Sequence, residues 1–177
     1  MHYGIFKDIH ANFEVKQTIS WTSSRIGNQR RDFLGNFTLV YRGQDLILVH
    51  GTLNASQLFD YMIDVYSSRQ SFQLLDSRIC FIGHTHIPAV FMQGQDQHLH
   101  TIKTGCIKIK DDKKYIINVG SVGQPRDGDP RAGYCIYDAA NNEIEFKRVD
   151  YDVDAARMKI IKAGLPRILG DRLLKGL

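Results

Sequence analysis

The 177-residue sequence has no long apolar run, no strong excess of either charge and no paired cysteine motif. A membrane-spanning helix needs roughly 20 consecutive, mostly apolar residues, and no segment approaches that length. The first residues also lack the basic and apolar regions of a signal peptide. We therefore expect a cytoplasmic protein without a membrane partner.

The cysteines are few, and their pattern argues against a disulfide framework. Cys80, Cys106 and Cys135 are an odd number, none belongs to a C-x-x-C motif, and each lies in an apolar, strand-like run. Paired spacings are the usual sign of disulfide-rich domains and of cysteine zinc sites. The sequence predicts three packed, reduced thiols, which agrees with a cytoplasmic location.

The charge balance is mildly basic. The 23 Lys and Arg residues and 19 Asp and Glu residues give a net charge of +4 at pH 7. That balance is compatible with a phosphate-bearing ligand, but a solvated surface with slightly more cations is the favoured explanation. No basic run with interleaved aromatic residues occurs, so nucleic acid is not a predicted partner. The length predicts a single domain over residues 1–177.

The first half of the chain reads as alternating strands and helices. Apolar runs predict strands at residues 2–7, 37–41, 45–49 and 78–82. Apolar positions at helical spacing predict helices over residues 13–34 and 54–66, and Gly27 weakens the first of them. The expected apolar face of that first helix comprises Ile19, Ile26 and Leu34.

The second half is richer in short, alternating segments. They predict an antiparallel meander over residues 88–92, 99–103, 106–109, 114–119, 133–138 and 143–149. A mixed first half and an all-β second half together predict an α/β fold, with two sheets packed face to face and helices outside. Residues 154–174 should finish the chain as helices broken at Gly164-Leu165-Pro166.

Polar side chains typical of metal sites follow three of the predicted strands. They are Asp8 and His10, then His50, and then His84 and His86 in the sequence Gly83-His84-Thr85-His86. In α/β proteins, ligand sites gather at the carboxyl ends of strands, and neutral imidazole is a common metal ligand. Taken alone, Asp8 could cap a helix, His10 could be a packed or solvated histidine, and His50 could be a polar strand end. Three such strand ends in one short chain favour a metal site.

A further motif, Asn118-Val119-Gly120-Ser121-Val122-Gly123-Gln124-Pro125-Arg126, completes a recognisable order. With the three strand ends, it resembles the calcineurin-like metallophosphoesterases, above all the small phosphodiesterases and phosphatases of bacteria and archaea. The resemblance implies a two-sheet sandwich flanked by helices. It also implies a hydrolase whose substrate is a phosphate-ester small molecule or a nucleotide, cleaved at a phosphomonoester, phosphodiester or phosphoanhydride by metal-bound hydroxide.

The resemblance also implies roles for individual residues. One metal ion would be held by Asp8, His10 and His86, and a second by His50 and His84. Such donors suit Mn, Fe, Zn or Ni, and the sequence does not choose among them. The substrate would lie near Asn118, Gly120, Ser121 and Arg126. For Arg126, a substrate phosphate and a surface ion pair with Asp127 or Asp129 remain equal alternatives.

Two blocks of the family pattern are missing between Asp8 and His50. Residues 11–49 contain neither a Gly-Asp pair nor a Gly-Asn-His sequence. In relatives these blocks supply the aspartate that bridges both metals, an asparagine ligand and the catalytic histidine. The chain should therefore lack a strand–helix–strand portion, shortened between about residues 13 and 20, and its catalytic residue is unknown.

These losses have consequences for the metals and for the activity. Without the bridging carboxylate, mutual repulsion should leave one tightly bound divalent ion rather than two. Two functions stay open: a weakened metal-dependent phosphoesterase, and a catalytically impaired remnant that acts as a metal-binding or interaction module. The first strand would also lose its neighbours, which leaves a homo-oligomer as an open alternative.

Overall fold

The computed structural model describes residues 2–4 and 13–177, with side chains from residue 18 onward. Within this part of the chain, ten strands form two sheets. The strands are β1 (His2–Gly4), β2 (Val40–Arg42), β3 (Leu46–Val49), β4 (Ile79–Ile82), β5 (Ala89–Gln93), β6 (Leu99–Ile102), β7 (Cys106–Lys108), β8 (Lys114–Asn118), β9 (Ala132–Asp138) and β10 (Glu143–Val149). The helices are α1 (Phe13–Arg25), α2 (Asn28–Gly35), α3 (Val65–Leu74), α4 (Val153–Lys162) and α5 (Arg167–Asp171).

The six-stranded sheet has the order β2-β3-β4-β8-β5-β6. Its central strands β3, β4 and β8 are parallel, and the flanking pairs are antiparallel. The predicted hairpin of β2 and β3 is confirmed. The predicted meander is wrong at β8, which lies between β4 and β5. The reason is visible in its run Tyr115–Asn118, which is buried throughout, because a parallel strand in the middle of a sheet is covered on both faces.

The second sheet has the order β1-β9-β10-β7 and is antiparallel. The meander is wrong here also, since β7 leaves its sequence neighbours and pairs with β10. In the described part of the chain, β1 is an edge strand whose partner is β9, as expected for a strand that has lost a neighbour.

The two sheets pack face to face, as predicted. The cluster between them combines side chains of both sheets, and the rings of Phe81 and Tyr137 meet across it at 5.8 Å. A second cluster covers the other face of the six-stranded sheet, where α3 contributes Phe72 and the segment before α3 contributes Met62. The α/β class with two sheets and outer helices is thereby confirmed.

The helix predicted over residues 54–66 is wrong. A 3-10 turn at Ser56–Leu58 is followed by an irregular segment, and α3 begins only after Asp64. The Asp64 carboxylate accepts a hydrogen bond from the Ser67 amide, and the Ser67 hydroxyl oxygen accepts one from the Asp64 amide. This capping box fixes the helix start, and it is readable as Asp-x-x-Ser.

The helix predicted over residues 13–34 is divided in two at Gly27, its expected weak point. Its predicted apolar face is wrong, because Ile19 is 47% exposed and Leu34 is 53% exposed. The predicted C-terminal break is confirmed between α4 and α5. No helix among the described residues is long and apolar enough to cross a membrane.

The three thiols are free, but they are not all packed. Cys80 and Cys135 are buried between or beside the sheets, whereas Cys106 is exposed on the edge strand β7. The prediction of three packed thiols is therefore wrong for Cys106, because alternate side chains of an edge strand face solvent.

Candidate metal centre

The parallel strands β3, β4 and β8 end side by side, and the loops that follow them meet at one edge of the sheet. The Gly83 amide donates a hydrogen bond to the His50 carbonyl (2.9 Å), and the Val119 amide donates to the Ile82 carbonyl (3.0 Å). These bonds extend the sheet by one step beyond each strand. They hold the His50, Gly83–His86 and Asn118 segments next to one another.

Two of the predicted ligands are brought into direct contact. His84 Nδ1 lies 2.7 Å from His50 Nε2, so one ring donates its N–H to the other. Each residue is only 5% exposed. Metal–imidazole bonds are about 2.0–2.1 Å long, so both nitrogens are within reach of a single ion. This pairing agrees with the assignment of His50 and His84 to one metal.

His86 is held by the loop that follows β8. Its Nδ1–H donates to the Gln124 carbonyl at 2.6 Å, and the Arg126 amide donates back to the His86 carbonyl at 3.3 Å. A proton fixed on Nδ1 leaves Nε2 as the metal-binding nitrogen, which is how ligand histidines are commonly oriented. Both His84 (φ 70°) and His86 (φ 64°) have left-handed backbone, which is costly for a side-chain-bearing residue and concentrates at functional sites.

Asn118 ties this histidine loop to β8. Its side-chain amide donates to the Gly83 carbonyl (2.7 Å) and to the Thr85 hydroxyl (2.8 Å), while its Oδ1 accepts from the Gly120 amide (3.0 Å). Asn118 is fully buried. Its place is therefore beneath the loop, and we expect it to position the histidines.

Gly120 and Ser121 shape the turn above Asn118. Gly120 has a φ of 78°, and a Cβ built on it would lie 2.9 Å from Pro88 Cγ, so a side chain would push the turn away from the histidine loop. Ser121 is 5% exposed, and its hydroxyl oxygen accepts a hydrogen bond from the Gln124 amide at 3.0 Å.

Arg126 lies beside the loop that carries His84 and His86, since its amide is hydrogen-bonded to the His86 carbonyl. Its Nη2 and Nε donate to Gln124 Oε1 at 2.7 and 3.2 Å. The two acids considered as alternative partners are engaged elsewhere: Arg148 pairs with Asp127, and Arg131 pairs with Asp129 at 2.7 Å. Hydrogen bonds from Arg131, with the nearby Arg148 guanidinium, lower the pKa of Asp129 to about 2. Among the described residues Arg126 has no such acidic partner, so the ion-pair alternative is wrong.

One wall of the site was not predicted. Gly51 lies under the backbone of the next segment, since a Cβ at Gly51 would come within 2.7 Å of the Asp60 carbonyl oxygen. This close approach lays Phe59 and Tyr61 against the histidines. The Phe59 ring lies 5.3 Å from the His50 ring, and the Tyr61 ring stacks on His84 at 4.4 Å. The helix wrongly predicted over residues 54–66 concealed these aromatics.

Asp8 and His10 lie outside the described residues, so convergence of all five predicted ligands stays a prediction. Within residues 18–177, no three His, Cys, Asp or Glu side chains lie in one group that could hold a metal ion. The donors among the described residues are the paired nitrogens of His50 and His84 and the oriented ring of His86. Neutral imidazoles of this kind fit a divalent ion such as Zn, Mn, Fe or Ni.

Comparison with known proteins places these residues in a wider context. A family model described as "Calcineurin-like phosphoesterase superfamily domain" matches residues 21–142. An uncharacterized protein of Methanocaldococcus jannaschii is 39% identical over 162 residues, which are 89% of this chain and 64% of that protein. The chain thus spans somewhat less than two thirds of that relative's length.

Solved structures give the same picture. The crystal structure of a metallophosphoesterase from Sphaerobacter thermophilus has a TM-score of 0.79 and 30% identity, covering 89% of this chain and 67% of that one. A hypothetical protein from Pyrococcus horikoshii has a TM-score of 0.70 over 96% of this chain and 63% of that one. At 17% identity, the second comparison shows the fold alone.

Proposed function

We propose that this protein, which belongs to the calcineurin-like phosphoesterase superfamily, is a hydrolase of phosphate esters that depends on a divalent metal ion. The single observation that carries the proposal is the contact between His50 Nε2 and His84 Nδ1 at the carboxyl ends of adjacent parallel strands. The substrate we propose is a small phosphomonoester, phosphodiester or nucleotide phosphoanhydride.

One ion would be held by Asp8, His10 and His86, and His50 and His84 would offer a second, weaker position. A divalent ion, when bound, polarises a phosphoryl oxygen and lowers the pKa of a coordinated water. The chain's own contribution is orientation. The Gln124 carbonyl fixes the proton of His86 on Nδ1, and Asn118 holds the loop that carries His84 and His86.

Arg126 is the residue we propose for the substrate phosphate. Guanidinium groups pair with phosphate oxygens through two parallel hydrogen bonds. In the structure, the guanidinium is aligned by Gln124 Oε1, and its backbone is tied to His86. The backbone of Arg126 therefore lies next to a proposed metal ligand, His86, although the two residues are far apart in the chain. Gln124 would hold the guanidinium until a phosphate replaces that contact.

The test is hydrolysis of bis(p-nitrophenyl) phosphate by the full chain with added Mn²⁺. We expect slow turnover, below the ordinary range of about 1–10³ s⁻¹, because the bridging aspartate and catalytic histidine are missing. His84→Ala and Asp8→Ala should abolish it. His98→Ala is the matched control, since His98 is exposed beside β6 and should retain wild-type turnover. Turnover that survives in His84→Ala would contradict the proposal.

The alternative is a catalytically impaired module, and the missing sequence blocks favour it. In that case the protein would give no turnover, while Mn²⁺ binding measured by calorimetry would be present in the wild type and absent in His86→Ala. If Mn²⁺ binding is absent as well, an interaction role is left.

Besides the substrate, we propose a second copy of this chain as a binding partner. The surface around α2 and the edge strand β2 is apolar and exposed, with Phe33, Leu34, Phe37, Leu39 and Tyr41 between 46% and 65% exposed. Sedimentation velocity should show a species larger than the monomer that Phe37→Glu converts to monomer. Ile168→Glu, at a 51% exposed site on α5, is the control. The free thiols suit the cytoplasmic location we propose.

A further inference from the structure

The exposed aromatic pair beside the histidines has no task in the function proposed so far. We infer that Phe59 and Tyr61, hereafter the aromatic shelf, bind a planar ring attached to the substrate's phosphoryl group. Substrates with a nucleobase or another aryl group would then be preferred over alkyl phosphate esters. This inference rests on the proposed function, because it places the phosphoryl group at the histidines.

The first argument is the position of the shelf. The Phe59 centroid is 5.3 Å from His50 and 6.2 Å from His84, and the Tyr61 ring stacks on His84 at 4.4 Å with an interplanar angle of 25°. Aromatic rings in contact have centroids about 4.5–7 Å apart. A ligand ring stacked on the shelf would therefore be separated from the imidazoles only by the Phe59 and Tyr61 rings. At that distance, the ring and a phosphoryl group at the histidines can belong to one molecule.

The second argument is exposure. Phe59 remains 40% exposed and Tyr61 47% exposed, although the histidines beneath them are 5% exposed. If these aromatic side chains only shielded the imidazoles, they could be buried in the core, as Met62 of the same segment is at 2% exposure. The shelf instead presents apolar ring surface to solvent at the rim of the site.

The third argument is that the shelf is held in place. Phe59 has a φ of 54°, left-handed backbone that is unfavourable for an aromatic residue. The segment is fixed by contact with Gly51, and before it by Asn54, whose Oδ1 accepts a hydrogen bond from the Ser71 hydroxyl at 2.9 Å. The Asp64–Ser67 capping box fixes the other end. A preorganised ring surface loses little freedom when it binds a ligand.

The experiment compares AMP with ribose 5-phosphate, which carries the same phosphate and sugar without the ring. Calorimetric titrations use the full chain with Mn²⁺ present, in the wild type and in Phe59→Leu. Stacking of a base on an aromatic side chain is worth about 1–3 kcal/mol, so we expect AMP to bind roughly tenfold more tightly than ribose 5-phosphate. In Phe59→Leu, the AMP affinity should fall toward that of ribose 5-phosphate, which itself should be unchanged.

Two control variants sharpen the comparison. Tyr61→Leu should behave as Phe59→Leu does, whereas Tyr66→Leu, at a 77% exposed site on α3, should retain the wild-type preference. Phenyl phosphate separates the two sources of a ring. If it shares the preference, any aryl group is accepted, and if AMP alone shows it, the shelf selects a nucleobase.

The outcomes that overturn the inference are specific. Equal affinities for AMP and ribose 5-phosphate in the wild type would remove it, and so would a variant that weakens both ligands equally, because that result indicates packing alone. Inorganic phosphate with Mn²⁺ is titrated in parallel to test the proposed function. If phosphate binds and the ring preference is absent, only the shelf is refuted. If phosphate does not bind, the proposed function is refuted, and the inference about the shelf falls with it.

Discussion

Replacing Asn118 with alanine should loosen the loop that carries His84 and His86. The buried amide makes three hydrogen bonds, to Gly83, Thr85 and Gly120, and all of them disappear in Asn118→Ala. The Gly83 carbonyl still accepts from the Thr85 amide. The Gly120 amide loses the acceptor that Asn118 provided, inside a buried turn.

The magnitude follows from these contacts. A typical intramolecular hydrogen bond contributes about 0.5–1.5 kcal/mol, and a buried donor left without a partner costs about 1–3 kcal/mol. Asn118→Ala should therefore lower the free energy of unfolding by about 2–4 kcal/mol. For a domain of this size, that corresponds to a fall in Tm of roughly 5–15 °C.

Thermal and urea unfolding followed by circular dichroism measure the loss. Asn141→Ala is the matched control, because Asn141 also donates to a side chain, Asp138 Oδ2 at 2.8 Å, but in an exposed turn. It should change stability by less than about 0.5 kcal/mol. At a temperature where both variants are folded, Mn²⁺ affinity should fall about 10–100-fold in Asn118→Ala alone. Wild-type stability in Asn118→Ala, or unchanged Mn²⁺ affinity, would refute the reasoning.

Three other measurements test separate parts of the molecule. Elemental analysis should find at most one tightly bound divalent ion per chain, and two ions would show that the chain holds a second metal without a Gly-Asp pair between Asp8 and His50. A thiol reagent should label the exposed Cys106 quickly, and Cys80 and Cys135 only when the protein unfolds. The reason is that burial raises the pKa of both buried thiols to about 12. Equal labelling of all three cysteines would contradict the described packing. Asp129→Asn should lower the free energy of unfolding at neutral pH, and its difference from the wild type should shrink as the pH falls from about 4 toward 2. The reason is that the folded-state pKa of Asp129 is depressed, so the stabilisation by its carboxylate is lost on protonation. A difference in the free energy of unfolding that does not depend on pH would exclude this carboxylate as the cause.

Local sequence patterns predicted most of the strands, because apolar runs of four to seven residues between turn signals have few other readings. They predicted the pairing less well. β8 and β7 look like members of one meander, yet β8 lies beside β4 and β7 joins β10. Strand order depends on which long-range arrangement buries the most apolar surface, and no short window of sequence contains that information.

The segment between His50 and α3 shows the same limit at the site. Leu58, Phe59 and Met62 have helical spacing, so the periodicity predicted a helix there. The chain instead leaves the helical path, since Gly51 admits the backbone of Asp60 at a distance that a side chain would forbid. The Asp64–Ser67 capping signal was present in the sequence, and it marks where the helix does begin.

The sequence by itself determined the family, the α/β class and the candidate ligands, because His50, His84 and His86 stand in motifs whose order and spacing are specific. Tertiary structure alone decided that His84 touches His50, that Asn118 lies beneath the loop, and that two aromatic rings border the site. Each of these facts depends on residues far apart in the chain meeting at one sheet edge. These contacts follow from parallel strand pairing, which brings loops that are distant in the sequence to the same edge of the sheet.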